Sequence, residues 1–134
     1  MANLAISTEC GNVELDNFFK TLMFQKIMDS GFTRNERDTL LVIFRKTIHF
    51  DKWEDNLSMY WLSQAVGISE TTLRITLRRL EDKSLISFMA SSGGKTKSPK
   101  KYNAFGISNY LVNDVYRTWE EIKEENGISL KYIS

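Results

Sequence analysis

Hydrophobic positions along this chain change their spacing several times, and each change marks an element. In "LDNFFKTLMFQKIM", Leu15, Phe18, Phe19, Leu22 and Phe24 recur at mixed three- and four-residue intervals, which predicts a helix ending near Gly31. "TRNE", Thr33 to Glu36, is a capping box: the Thr33 hydroxyl accepts the Glu36 amide while the Glu36 carboxylate reaches back to the Thr33 amide. In the helix that follows, Leu40, Leu41, Val42, Ile43 and Phe44 are consecutive and point all round the axis. Such a helix must be covered on most sides, and it is assigned as the central core helix.

"DKWEDN" breaks this pattern, and Asn56-Leu57 is suited to a very short strand. Ser58 then caps a second, shorter helix in which Met59, Leu62 and Val66 share a face. Gly67 ends it where a left-handed conformation is needed. Only Ile68 separates Gly67 from Ser69, the next N-cap, and Leu73, Leu77 and Leu80 line one stripe of a third helix that ends near Lys83. Two helices joined so tightly define a helix-turn-helix, with the small Ser63 at their closest approach.

"LISFMA" reads as a strand, "SSGGKTKSPK" as a polar loop and "KYNAFGIS" as a returning strand. The expected fold class is therefore mainly α with a small β-hairpin: a winged helix-turn-helix over residues 15–107, preceded by a polar leader (1–14) and followed by a C-terminal helix (108–134). In that last helix Leu111 or Val112, Val115, Trp119 and Ile122 share a side. They either pack on their own domain or, with spacings of three, four and three, form the seam of a homodimer through Val112, Val115, Trp119 and Ile122.

Composition narrows the function classes. With 134 residues, 42% hydrophobic and 26% charged, the chain suits one folded domain. No window resembles a membrane span or an export signal, so a cytoplasmic location is expected. Cys10 and His49 are the only residues of their types, which excludes an intrachain disulfide and a zinc site of several thiolates, and no Cys-His or Ser-His relay is expected. His49 is expected to be a satisfied structural histidine. The adjacent carboxylates Glu54-Asp55, Glu120-Glu121 and Glu124-Glu125 are expected to be solvated, so no enzyme activity, metal or cofactor is called for.

Net charge is only +1, but the distribution is uneven. Residues 1–68 hold seven basic and nine acidic side chains, residues 69–101 eight and three, and residues 102–134 three and five. One basic stretch on an otherwise neutral domain is the pattern of a nucleic-acid face. If Leu73, Leu77 and Leu80 point inward, Thr71, Ile75 and Arg78 lie almost opposite, flanked by Arg74 on one side and Thr72 and Arg79 on the other. The expected DNA-binding set is Ser69, Thr71, Thr72, Arg74, Ile75, Arg78 and Arg79, joined by Lys95, Lys97, Lys100 and Lys101 on or beside the loop. Residues near the start of such a helix reach base edges: Thr71, Thr72 and Arg74 are candidate base readers and Ile75 a partner for a thymine methyl, whereas Arg78 and Arg79 suit phosphates. Glu70 is assigned to the helix dipole.

Residues 32–86, "FTRNERDTLLVIFRKTIHFDKWEDNLSMYWLSQAVGISETTLRITLRRLEDKSLI", resemble the N-terminal winged-helix region of phage replication protein O, the lambdoid origin-binding initiator. The resemblance lies in the "T-x-x-E" helix start, "RKT" followed by an aromatic and "DKW", an acidic residue before "LS", and then "LSQAVGIS-x-x-TL" and "RRLEDKSLI". Of these, "FRKTIHFDKWEDNLS" points to replication, while the helix-turn-helix part is common to many regulators. The family's usual glycine after the third helix is Ser84 here, and a non-glycine residue in the left-handed region costs roughly 1 kcal/mol. Such initiators also continue into a long segment that recruits a helicase loader, for which this length leaves no room. The resemblance implies a phage- or plasmid-like, double-stranded DNA-binding protein acting in replication origin recognition. Alternatives are a transcriptional repressor with the same DNA face and a protein-interaction winged helix antagonising a host factor.

Overall fold

The computed structural model describes residues 5–8, 11–89 and 102–125. Within the first 14 residues, assigned to a polar leader, β1 (Ala5–Thr8) pairs antiparallel with β2 (Gly11–Glu14), Ala5 opposite Glu14 and Thr8 opposite Gly11. Helix α1 (Asn17–Asp29) follows, N-capped by Asp16, and Gly31 at φ 70° turns the chain after it. Its inward row is Leu15, Phe19, Met23 and Ile27, spaced by four residues and almost fully buried. Phe18 and Phe24, counted on the apolar face from sequence, are 37% and 45% exposed. A helix apolar on every side gives no sequence cue to which row faces the core.

Helix α2 (Arg34–Lys46) begins with the capping box: the Glu36 amide donates to Thr33 Oγ1 and the Thr33 amide to Glu36 Oε1. Leu40, Ile43 and Phe44 are buried, Leu41 and Val42 partly so, and α2 packs against α1 and the two α-helices that follow it. Thr47 ends it, donating its hydroxyl to the Ile43 carbonyl at 2.7 Å. A single 3-10 turn (Ile48–Phe50) and Asp51 in the left-handed region (φ 60°) then lead into β3 (Glu54–Ser58). His49 is exposed rather than a core histidine and packs edge-on against Phe50 at 5.0 Å. The aromatic, charged run 48–53 is thus a surface connection, because only Ile48 of it reaches the core.

Helices α3 (Met59–Val66) and α4 (Glu70–Asp82) form the helix-turn-helix. Gly67, at φ 84°, lets its own amide and that of Ile68 both donate to the Ser63 carbonyl, and Ser63 is 2% exposed in the tight contact foreseen for it. Strands β4 (Ile86–Met89) and β5 (Tyr102–Ile107) close a three-stranded antiparallel sheet of order β3-β5-β4. The short strand expected at Asn56-Leu57 is five residues long and is fully paired to β5. At Gly106 an added Cβ would stand 2.5 Å from the Trp53 carbonyl oxygen and 2.8 Å from Ser87 Oγ, so the central strand admits only glycine there. The fold is a winged helix.

Helix α5 (Asn109–Glu125) settles the two expectations for the C-terminal helix. Leu111, Val112, Val115 and Trp119 are at most 3% exposed, inside the chain's own core and against α1. A homodimer seam through Val112, Val115, Trp119 and Ile122 is therefore corrected: three of these four are consumed by intrachain packing, and Ile122 alone is partly exposed. Polar contacts fix the pairing. Asp16 accepts from the Phe19 amide at 3.0 Å and from Trp119 Nε1 at 2.9 Å, and it pairs with the buried Lys123, whose ammonium lies 4.5 Å from the Trp119 ring centre. Burial pushes the Asp16 carboxyl up, but the Lys123, Phe19 and Trp119 donors outweigh it and hold the group below its ordinary value. Farther along α1, Lys26 meets Asp114 of α5 at 2.9 Å.

The turn after α4 supplies a test of this backbone. Ser84 sits at φ 58°, its amide donates to the Glu81 carbonyl, and the Leu85 amide reaches back to the Leu80 carbonyl at 2.9 Å with both leucines buried. This is a Schellman ending with serine where glycine is preferred. Ser84→Gly should raise stability by about 1 kcal/mol and the melting temperature by roughly 3–5 °C. Thermal unfolding followed by circular dichroism measures this directly; a lowered midpoint would contradict the left-handed assignment.

Candidate nucleic-acid interface

Helix α4 is built so that its two faces have different tasks. Leu73, Leu77 and Leu80 are buried, as their spacing predicts, and they are joined by Thr76, which is 3% exposed. Thr76 escapes a hydropathy reading because its hydroxyl is satisfied locally, donating to the Thr72 carbonyl at 2.9 Å. Thr71, Arg74, Arg78 and Arg79 are exposed and Ile75 is 50% exposed, so the outward strip expected from sequence is present.

Two of the expected contact residues also serve the start of the helix. Ser69 Oγ accepts the Thr72 amide at 3.1 Å and donates to Thr72 Oγ1 at 2.9 Å, so both hydroxyls serve the N-cap. What this corner offers to a ligand is the start of the helix, with Glu70 in its first turn. Thr71, Arg74, Ile75 and Arg78 keep their side chains available on the outward strip. Lys95, Lys97, Lys100 and Lys101 fall in 90–101, outside the described residues.

The other end of α4 is tied to the start of α2. Lys83, counted among the basic residues of this stretch, caps α4 and places its ammonium 2.7 Å from Glu36 Oε2, with the Phe32 ring 5.9 Å away. Glu36 is 2% exposed, so its charge is retained only because Lys83 and the Thr33 amide both donate to it. The Lys83 hydrogen bond is the main influence holding its carboxyl below the ordinary glutamate value, against burial, which acts in the opposite direction. Nothing in the spacing of Glu36 and Lys83, 47 residues apart, announces this pair; a buried capping-box glutamate is the one cue that a cation must approach.

Among the described residues, charge pairing separates the arginines of α4 from most other cations. Lys20, Lys26, Arg34, Arg37, Lys52, Lys83, Arg117 and Lys123 each lie within 4 Å of a carboxylate. Among the described residues no carboxylate pairs with Arg74, Arg78 or Arg79. Arg45 and Lys46, at the end of α2, also lack one, and Lys46 instead lies 4.8 Å from the ring centre of Trp61 in the first turn of α3. This second group of cations was not singled out from sequence; the "RK" pair before the Thr47 cap is its only signal. The described residues hold no cluster of three His, Cys, Asp or Glu side chains placed to bind a metal, and no described helix is long and apolar enough to cross a membrane.

No protein-family model matches the chain, and no similar curated protein was found. The expected tie to the replication protein O family thus has no family match behind it. Among solved structures, the chain is similar to the Staphylococcus aureus MepR structure in its DNA-binding conformation, with TM-score 0.48 and 18% identity over 83% of this chain and 73% of that one. It is also similar to a MarR-family transcriptional regulator from Silicibacter pomeroyi, with TM-score 0.45 and 10% identity over 75% of this chain and 61% of that one. A possible transcriptional regulator from Methanosarcina mazei Go1 gives TM-score 0.43 and 11% identity over 93% and 95%. At such identities and scores no activity or partner passes from these proteins to this one.

The Glu36–Lys83 contact predicts a pH signature. A carboxyl whose folded value is depressed stabilises the fold above its unfolded value and loses that contribution as pH falls through the folded value. Glu36→Gln preserves a side chain able to complete the capping box but removes the ion pair. The variant should melt lower than the native chain at pH 7, and the gap should narrow as pH falls below 4.5. Melting temperatures recorded from neutral pH into the acid range check it; a constant gap would contradict the assignment.

Proposed function

We propose that this chain is a non-enzymatic, sequence-preferring double-stranded DNA-binding protein that lays α4 in the major groove. The observation that carries this reading is the set of arginines on α4 without carboxylate partners, Arg74, Arg78 and Arg79, around an exposed Thr71 and Ile75 on the second helix of a helix-turn-helix. A folding role would pair such charges or spread them; a phosphate backbone requires them free and concentrated. Thr71 and Arg74, in the first turns, are the base readers of this proposal. Arg78 and Arg79 hold phosphates, and the loop lysines Lys95, Lys97, Lys100 and Lys101 add to the same charge. Lys83 stays outside the set because Glu36 engages it.

Of the two roles expected for such a protein, we put forward transcriptional regulation over origin recognition. The replication reading rested on "FRKTIHFDKWEDNLS", and much of that run is accounted for by the connection between α2 and α3. Thr47 caps α2, Ile48 fills the core, Asp51 takes the left-handed turn and meets Lys20 at 2.8 Å, and residues 54–58 form β3. These demands belong to folding, and they leave the segment little to say about replication.

Gel shifts on duplex DNA test the binding. With about six cations on phosphate, the logarithm of affinity should fall against log salt with a slope near −5. No duplex binding at ~50 mM salt, where the electrostatic contribution is strong, would end the DNA reading and favour an acidic protein partner. Selection of bound fragments from the source genome then separates the roles: sites overlapping promoters support regulation, and sites confined to an origin overturn it.

A single substitution tests the division of labour. Arg74→Ala should lose about 1–3 kcal/mol on the preferred duplex and discriminate less between sequences. An equal loss on every sequence would move Arg74 to the phosphate-binding class.

A further inference from the structure

Ile75 is the one apolar residue on the outward strip of α4, and its environment points to a defined ligand chemistry. An isolated exposed hydrophobic residue is ordinary on a protein surface, so its exposure of 50% carries nothing alone. Its setting does. On the helix surface Ile75 has Thr71 one turn before it and Arg78 and Arg79 one turn after it, with Arg74 alongside. All four are exposed, and no described carboxylate pairs with the three arginines.

A β-branched residue there adds nothing to helix propensity and packs against no core. In the major groove the edges of the four bases present nitrogen and oxygen donors and acceptors, with one apolar feature, the pyrimidine 5-methyl group. An isoleucine facing a polar edge would strip water from it and return no hydrogen bond.

Resting on the DNA-binding reading above, we infer that Ile75 is a specificity-determining residue that selects duplexes carrying a pyrimidine 5-methyl group opposite the middle of α4. Thymine supplies that methyl in ordinary DNA, and 5-methylcytosine supplies the same group on a different base pair. Arg74, whose guanidinium suits guanine O6 and N7, places a guanine on an adjoining step.

The experiment begins with selection of preferred duplexes from a random pool by the full chain. Each thymine of the selected duplex is then replaced in turn by deoxyuridine, which keeps every hydrogen-bonding group and removes only the methyl. The native chain should lose about fourfold in affinity at one position, the value for one buried methyl. Ile75→Ala, a change on an exposed helix face, should bind uracil and thymine duplexes alike. Placing cytosine or 5-methylcytosine at that position identifies the source: a gain from the methylated base shows that either base serves, and no gain restricts the contact to thymine. A selected duplex whose affinity is unchanged by uracil at every position, or an Ile75→Ala chain that stays equally sensitive, overturns the inference and leaves DNA binding intact. Failure to enrich any duplex overturns the DNA reading and this inference together.

Discussion

The rest of the molecule depends on which way α4 faces. Leu73, Leu77 and Leu80 are at most 3% exposed, and burying a leucine is worth about 1.5–3 kcal/mol. A turn of α4 by one residue, 100° about its axis, would expose much of that row, and the loss would be comparable with the ~5–15 kcal/mol by which whole domains are stable. The leucines therefore decide the orientation of the arginines, which make no described ion pair of their own. Both ends of the helix are held as well: Ser69 satisfies the first turn, and Lys83 joins the last to Glu36. Core packing and anchoring at the ends orient the outward strip without using its side chains.

The same separation explains what could be read from sequence. Elements whose cause is local were legible: the Thr33/Glu36 box, Gly67 between two helices, the leucine stripe and the positive φ at Ser84 are each set by residues within about one turn of one another. Contacts whose cause is distant were not. Asp16 and Lys123 are 107 residues apart and Glu36 and Lys83 are 47 apart, so the pairing exists only after the chain has folded. The outward strip of α4 was legible because it is the complement of a local stripe. Commitment of Ser69 and Thr72 to a cap was legible only in part, because the same hydroxyl chemistry serves a cap or a base edge.

The C-terminal helix shows how a correct periodicity can support the wrong partner. Spacings of three, four and three in Val112, Val115, Trp119 and Ile122 fit a seam between two chains, and they fit equally well a helix lying on its own domain. The competing demand comes from α1, whose inner row of Leu15, Phe19, Met23 and Ile27 needs cover. Asp16 decides it, because a carboxylate that caps α1 also takes the Trp119 indole N–H and the Lys123 ammonium. Trp119 cannot be both a buried donor to Asp16 and a contact for a second chain.

A domain with 18 basic and 17 acidic side chains has nearly enough carboxylates to neutralise every cation, and elsewhere in the described fold most cations have one within reach. Glu70 lies one turn before Arg74 and Asp82 one turn after Arg78, spacings at which side chains on a helix can meet, yet neither forms an ion pair. Exposed pairs of this kind are worth at most about 1 kcal/mol, so leaving them unmade costs the fold little. Arg78 and Arg79 opposite a row of phosphates would each displace a condensed counterion, a term that grows with every contact. On the DNA-binding proposal, these two magnitudes make α4 inexpensive to keep open and favour its contact with a duplex.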